Sequence, residues 1–343
     1  MTPRFLPALA LLGAAAVACG PAASHPVAVR PAAAAPAPSV LPSPLAPSPA
    51  VSVAPKVADP LTGLSVTHSP VVVVKVDNAT TARPYQRGLG HAAIVYQELV
   101  ESGTTRFAAV YDNAYAGEVG PIRSVRETDI ELLPEFGRVA VAFSGGNSGV
   151  KGQFRSAVRA GQLLDASYDS LTSHYRLGEQ RIDARNFFSR PAGLAAASRG
   201  ATAKDIGLRF GPLAGGSPAT SATVSYSDRM SVAIRYDAGS GTWTILQDGT
   251  PMPGVGPTNV IVQSVRIRKG RYVDVEGAPS PYTVSIGSGN AIVFRDGQAI
   301  RGTWKRPSVR RGTHYLDAHG HDIALKPGST WVLLLPSTRS ASF

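Results

Sequence analysis

The sequence runs to 343 residues, with 34 Lys and Arg against 23 Asp and Glu for a formal net charge of +11, and it holds a single cysteine. That length allows one large domain or two ordinary ones. The lone cysteine excludes an internal disulfide, and basic residues scattered without a nucleic-acid-binding motif remove nucleic acid from the expected partners.

The N-terminus reads as an export signal. Arg4 is a minimal basic region, and the apolar run 5–17, 13 residues long, is too short to cross a bilayer as a helix. Ala16-Val17-Ala18 leads into Cys19, with Ala16 where lipoprotein motifs usually carry Leu. The pattern predicts a signal peptide over 1–18, lipidation (palmitate among the acyl groups) at Cys19, and anchoring at the extracytoplasmic face of the cell membrane. Cleavage near Ala18 without lipidation is the other reading of the same residues. Residues 19–58 are dominated by Ala, Pro, Ser and Val and read as a disordered tether. At about 3.1 Å per residue such a spacer reaches on the order of 120 Å.

Folded structure is expected from Asp59 onward. The β-branched run 70–76 reads as a strand buried on both faces. The runs 92–100 and 105–111 flank Ser102-Gly103 as a β-hairpin. A helix over 94–101 would place Glu98 and Glu101 on one face, whereas the favoured strand sends them to opposite faces. A short helix is expected over 124–135, a strand over 138–143, helices over 150–160 and 191–204, and an irregular stretch over 163–190. Beyond the Gly/Pro-rich boundary at 210–219, strands are predicted over 223–227, 232–236, 242–247, 259–268, 282–286, 291–295 and 331–335, with Asp248-Gly249 and Asp296-Gly297 as turns. This organisation is mixed α/β (α+β): an N-terminal α/β domain over 59–212 and a β-rich C-terminal domain over 218–340.

Charged groups gather at strand ends between 75 and 129, and there the site is expected: Asp77, Asn78, Arg83, Glu98, Glu101, Arg106, Arg123 and Arg126 as ligand-binding residues. Arg123 and Arg126 beside Gly120-Pro121 suit a carboxylate or phosphate through the bidentate guanidinium fork. No catalytic set stands out. Cys19 is consumed at the mature N-terminus, which excludes a cysteine-based transpeptidase. Ser148-Gly149-Val150-Lys151 is a Ser-x-x-Lys match without the companion motifs. The turn 144–148 reads as a plain tight turn before a helix, with anion binding as the lesser reading. His314, His319 and His321 with Asp317 and Asp322 fit no zinc spacing, so neither metal nor cofactor is expected. Asp77, Glu98, Glu101 and Asp129 are the carboxylates a glycosidase could use, but arginines nearby offer them structural partners.

The succession Pro60-Leu61-Thr62-Gly63-Leu64, Asp77-Asn78, Ala82-Arg83-Pro84, Glu98-Leu99-Val100-Glu101, Thr105-Arg106-Phe107 and Gly120-Pro121-Ile122-Arg123-Ser124 resembles the YerB-like bacterial lipoproteins. Asn259-Val260-Ile261-Val262, Gly302-Thr303-Trp304-Lys305 and Thr330-Trp331 are similar to that family's C-terminal portion, so the resemblance spans about 59–337. Where a Pro-His-Asn pattern is expected, this chain has Ala184-Arg185-Asn186, and no histidine role carries over. The resemblance implies a mixed α/β fold with a large sheet and supplies no mechanism. The expected function is non-catalytic binding of an anionic wall polymer or a wall-assembly protein, with a wall-active hydrolase built on Asp77, Glu98 and Glu101 as the alternative.

Overall fold

A computed structural model describes residues 57–66, 69–115, 117–179, 186–274 and 277–343. The predicted leader, Cys19, the tether up to residue 56, and Ala184 and Arg185 lie outside the described residues. Strand order begins with β1 (Val72–Asp77), β2 (Ile94–Leu99), β3 (Thr105–Tyr111) and β4 (Val119–Ile122). Next come α1 (Glu127–Leu132), β5 (Val139–Ala142), α2 (Ser148–Arg159), β6 (Leu163–Asp165), β7 (Tyr175–Leu177), β8 (Phe187–Ser189) and α3 (Pro191–Ser198). The C-terminal portion supplies β9 (Ser221–Ser227), β10 (Met230–Asp237), β11 (Thr242–Gln247), β12 (Asn259–Val265), β13 (Ile267–Val273), β14 (Pro279–Thr283), β15 (Gly287–Arg295), β16 (Gln298–Arg306), β17 (His314–Leu316) and β18 (Thr330–Pro336).

A fourteen-stranded mixed sheet runs through both portions in the order β16-β15-β12-β18-β2-β3-β1-β4-β8-β7, with β17 and the two-residue strand Ser217–Pro218 beside β16 and β5-β6 branching from β1. Its centre is the last long strand of the chain: β18 pairs in parallel with β12 on one side and with β2 on the other. All seven residues of β18 are buried, as the near-continuous apolar run of a parallel strand covered on both faces requires. One face carries Val72, Val74, Phe107 and Trp331 against Tyr226, Ile234 and Trp243 of a five-stranded antiparallel sheet built on β9, β10 and β11. The other face carries Val73, Tyr96, Val110 and Val332 against Leu132, Phe136, Val150 and Phe154 of the helical layer. Successive residues of β1 thus alternate between two cores.

The hairpin expectation holds: β2 and β3 are antiparallel, with Leu99 opposite Thr105. Asp248-Gly249 and Asp296-Gly297 turn with φ of 49° and 80°, and 51° and 68°, the left-handed pairs that two-residue hairpins demand. The balance of elements needs correction, because among the described residues strands make up 44% and helices only 15%, so the fold is sheet-dominated and α/β only loosely. The helical segments are cut short locally. The helix expected over 124–135 yields to a 3-10 turn at Leu133, and α3 stops at Ser198 where Arg199 turns left-handed at φ 50°.

Asp59 and Asp112 form a buried carboxyl pair where the described chain enters the fold, 1% and 3% exposed. Burial first, then the hydrogen bond and charge of Asp59, push the Asp112 carboxyl up to about 8. The native state therefore holds a proton that the unfolded chain, with a carboxyl near ~3.9, releases. Stability from this group is full at pH 4 and is lost as pH rises toward 8. Urea unfolding at pH 5 and 8.5 should show that loss in the wild type and a reduced one in Asp112→Asn.

Candidate functional site

Antiparallel register puts Asp77 of β1 opposite Arg106 of β3, and Arg106 opposite Glu98 of β2, in one cross-strand row on the helical face. Lys75, two residues before Asp77, shares that face. Its stem is buried, and its ammonium pairs with Glu98 and, at 2.7 Å, with Asp129 Oδ1. The other Asp129 oxygen accepts the Arg126 backbone N–H at 2.7 Å, so the first turn of α1 fixes this carboxylate. Burial above all, and then the charge of Asp129, push the Glu98 carboxyl up to about 7, against the pull of Lys75.

The remaining acids are also engaged. Asp77 meets Arg123 Nε at 3.1 Å and Arg106 Nη2 at 3.8 Å. Burial and the neighbouring Arg126 charge lower Arg106 to about 10. Glu101 Oε2 accepts both Nε and Nη2 of Arg126, at 3.1 and 2.7 Å, while Oε1 accepts the Ser280 hydroxyl. Burial pushes Glu101 up, but Arg126 and Ser280 outweigh it and hold the carboxyl below its ordinary value.

The eight residues proposed from sequence therefore divide. Six share the helical face. Asn78, one step past Asp77, points to the opposite face, where it donates to Thr105 Oγ1 at 2.7 Å and Gln247 Oε1 at 3.1 Å. Arg83 goes with it, pairing with Asp248 at 2.8 Å and donating to the Asn78 carbonyl. The parity argument for Glu98 and Glu101 also needs correction. The strand ends at Leu99, and a 3-10 turn with Ser102 at φ 59° resets the alternation, so Arg126 acts on both carboxylates.

Asp77, Glu98, Glu101 and Asp129 line neither of two clefts, one flanking α2 and one holding Arg83. The larger, about 1050 Å³, lies between α2 and the β13-β14 hairpin with α1 beneath. One wall is Gly149, Gly152, Gln153 and Ser156, and the other is Arg268, Lys269, Arg271 and Tyr272, with Tyr282 beside them. A Cβ on Gly149 would come within 2.1 Å of the Tyr272 ring, so glycine lets the hairpin close on α2. The acids at the floor are occupied: Glu127 takes the Arg271 N–H at 3.0 Å and its Nε at 3.3 Å, and Glu131 takes the Ser285 N–H and hydroxyl, each at 2.8 Å, and Tyr282. Arg268 and Lys269 are exposed and make no ion pair among the described residues. A second cleft of about 640 Å³, mostly apolar, includes Arg83.

The turn 144–148 caps itself, because Asn147 Oδ1 accepts the Gly149 N–H at 2.8 Å. Ser148 is exposed, while Lys151 pairs with Asp169 at 3.0 Å. His314 meets Asp322 at 3.0 Å and His321 meets Asp317 at 3.7 Å.

Family descriptions of a protein of unknown function, DUF3048, match residues 61–204 as its N-terminal domain and 222–332 as its C-terminal domain. The chain belongs to the DUF3048 family. It is 29% identical over 314 residues to YerB of Bacillus subtilis (strain 168), provisionally named a lipoprotein, covering 84% of this chain and 89% of the relative. The crystal structure of the YerB protein from Bacillus subtilis shares the fold with a TM-score of 0.69 at 23% identity, over 84% of this chain and 100% of that one. Among the described residues no helix is long and apolar enough to cross a membrane.

Sequence reasoning missed Lys75 as the partner of Glu98 and Asp129, and it missed the basic rim of the larger cleft. Both left a trace. A lysine inside an otherwise unbroken buried β-branched run must meet carboxylates, and Arg266, Arg268, Lys269 and Arg271 crowd one short segment.

Proposed function

We propose that this protein is a lipid-anchored envelope protein whose head binds an anionic cell-wall polymer without catalysis, through the cleft between α2 and the β13-β14 hairpin. Support for the anchor comes from the small residues before Cys19 and from the provisional naming of the relative as a lipoprotein. The carrying observation is that Arg268 and Lys269 stand exposed on a cleft whose own acids, Glu127 and Glu131, already have partners. Tyr272 and Tyr282 add flat amphipathic surface beside that charge. A carboxylate hydrolase needs acids facing a cleft, and here Asp77, Glu98 and Glu101 are bound internally.

Co-sedimentation with wall sacculi tests this reading. Arg268→Glu with Lys269→Glu is expected to weaken binding at least about tenfold, since charges near a polyanion are worth ~1 kcal/mol each and reversal counts twice. Sacculi stripped of anionic polymer should bind no better than the double variant. Unchanged binding by that variant would remove the cleft from the mechanism, and released wall fragments would favour the hydrolase.

A further inference from the structure

We infer that Lys75 and Asp129 become joined by an intramolecular amide bond after folding, with Glu98 as proton carrier. The three groups arrive from separate elements: Lys75 from β1, Glu98 from β2 and Asp129 from the first turn of α1. Lys75 Nζ lies 2.7 Å from Asp129 Oδ1 and is also bonded to Glu98 Oε1. All three side chains are at most 1% exposed, so bulk water reaches neither the nucleophile nor the acyl carbon. Glu98 Oε2 has no hydrogen-bond partner among the described residues, leaving one carboxylate oxygen available to receive and pass a proton. Asp129 Oδ2 is held by the Arg126 N–H, a donor positioned where charge develops on a tetrahedral intermediate.

The step balances with no added reactant. The Lys75 ammonium passes a proton to Glu98, and the freed amine attacks Asp129 Cγ, forming the C–N bond. The Cγ–Oδ1 bond breaks as Oδ1 takes the proton from Glu98 and a second from the nitrogen, and Oδ1 leaves as water. Ammonium and carboxylate become amide and water, with no change of oxidation state or total charge. Holding the partners in contact in a dry site supplies the effective concentration that condensation in water lacks. The physical incentive is charge. Written as ions, the cluster sets one cation against two carboxylates in a region that screens poorly. Condensation removes a full ion pair and leaves Glu98, whose proton affinity burial has already raised, as the sole titrating group. The product ties β1 to α1 across a separation of 54 residues in a chain whose only cysteine, Cys19, permits no internal disulfide.

Peptide mass spectrometry on the full-length, folded wild type decides the matter. After denaturation and trypsin digestion, the expected species is a branched peptide joining 57–87, uncut at Lys75, to 127–138. Its mass should equal the two linear peptides less one water. Glu98→Gln should drop the cross-linked fraction from nearly complete to background. Stoichiometric recovery of linear 57–75 and 127–138 from the wild type would overturn the cross-link whatever the variants do. Full cross-linking in Glu98→Gln would overturn the role given to Glu98.

Discussion

Arg306→Met is expected to lower the free energy of unfolding by roughly 4 kcal/mol, the scale for stranding one partner of a buried charge pair. Arg306 is fully buried, with Glu135, also fully buried, 3.7 Å away. Its Nη2 donates to the carbonyls of Glu131 and Leu132, each at 3.0 Å, and of Val309 at 2.8 Å. Nε donates to the Arg311 carbonyl and Nη1 to the Ser285 hydroxyl, both at 2.9 Å. One guanidinium thus caps the end of α1 and ties it to the segment after β16. Burial pushes the Glu135 carboxyl up and Arg306 restrains it. Without the arginine the native state will bind its proton more tightly, so the deficit in stability grows as pH rises through the raised value and shrinks in acid. Urea unfolding at pH 5 and 8 measures both effects, and Arg306→Met with Glu135→Gln should recover part of the loss if the stranded carboxylate is its main cause. Arg310→Ala and Arg311→Ala, at exposed positions a few residues on, should stay within about 0.5 kcal/mol.

That contrast marks what the sequence could carry. Arg306, Arg310 and Arg311 lie close together in the sequence, and nothing local separates the buried arginine from its solvated neighbours. Local signals were reliable where local physics decides. The β2-β3 hairpin and the Asp-Gly turns formed as expected, because register and positive φ are set within a few residues. The site was legible as a neighbourhood but not as a geometry. Asn78 and Asp77 are adjacent in sequence and face opposite cores, so a cluster read by proximity mixed two networks. The strand count was underestimated for a similar reason. β13 and β16 are broken by exposed basic and glycine positions, and their pairing partners, not their composition, make them strands.

The second large effect concerns the seam between the two family-matched portions. Trp331→Ala should cost about 3–5 kcal/mol, the range for truncating a buried tryptophan, because the hole opens where the fold can least collapse. Trp331 is 1% exposed, meets Phe107 edge-to-face at 5.2 Å, and donates to Gln97 Oε1 at 3.2 Å. Gln97 also exchanges hydrogen bonds with Gln247 of the five-stranded sheet, at 3.0 and 3.1 Å, so the indole supports a polar contact between the two sheets as well as the apolar core. A far larger loss is expected from ending the chain before Thr330. That deletion removes the strand between β12 and β2 and leaves two long, buried edges with unpaired backbone groups, a configuration that aggregates. The same reasoning applies to residues 59–212 expressed alone, since β2 would lose its parallel partner. Soluble, cooperatively unfolding protein from either truncation would mean that β18 merely docks on a sheet already stable without it. Insoluble protein from both, together with a soluble but weakened Trp331→Ala, would make β18 the strand on which both portions depend.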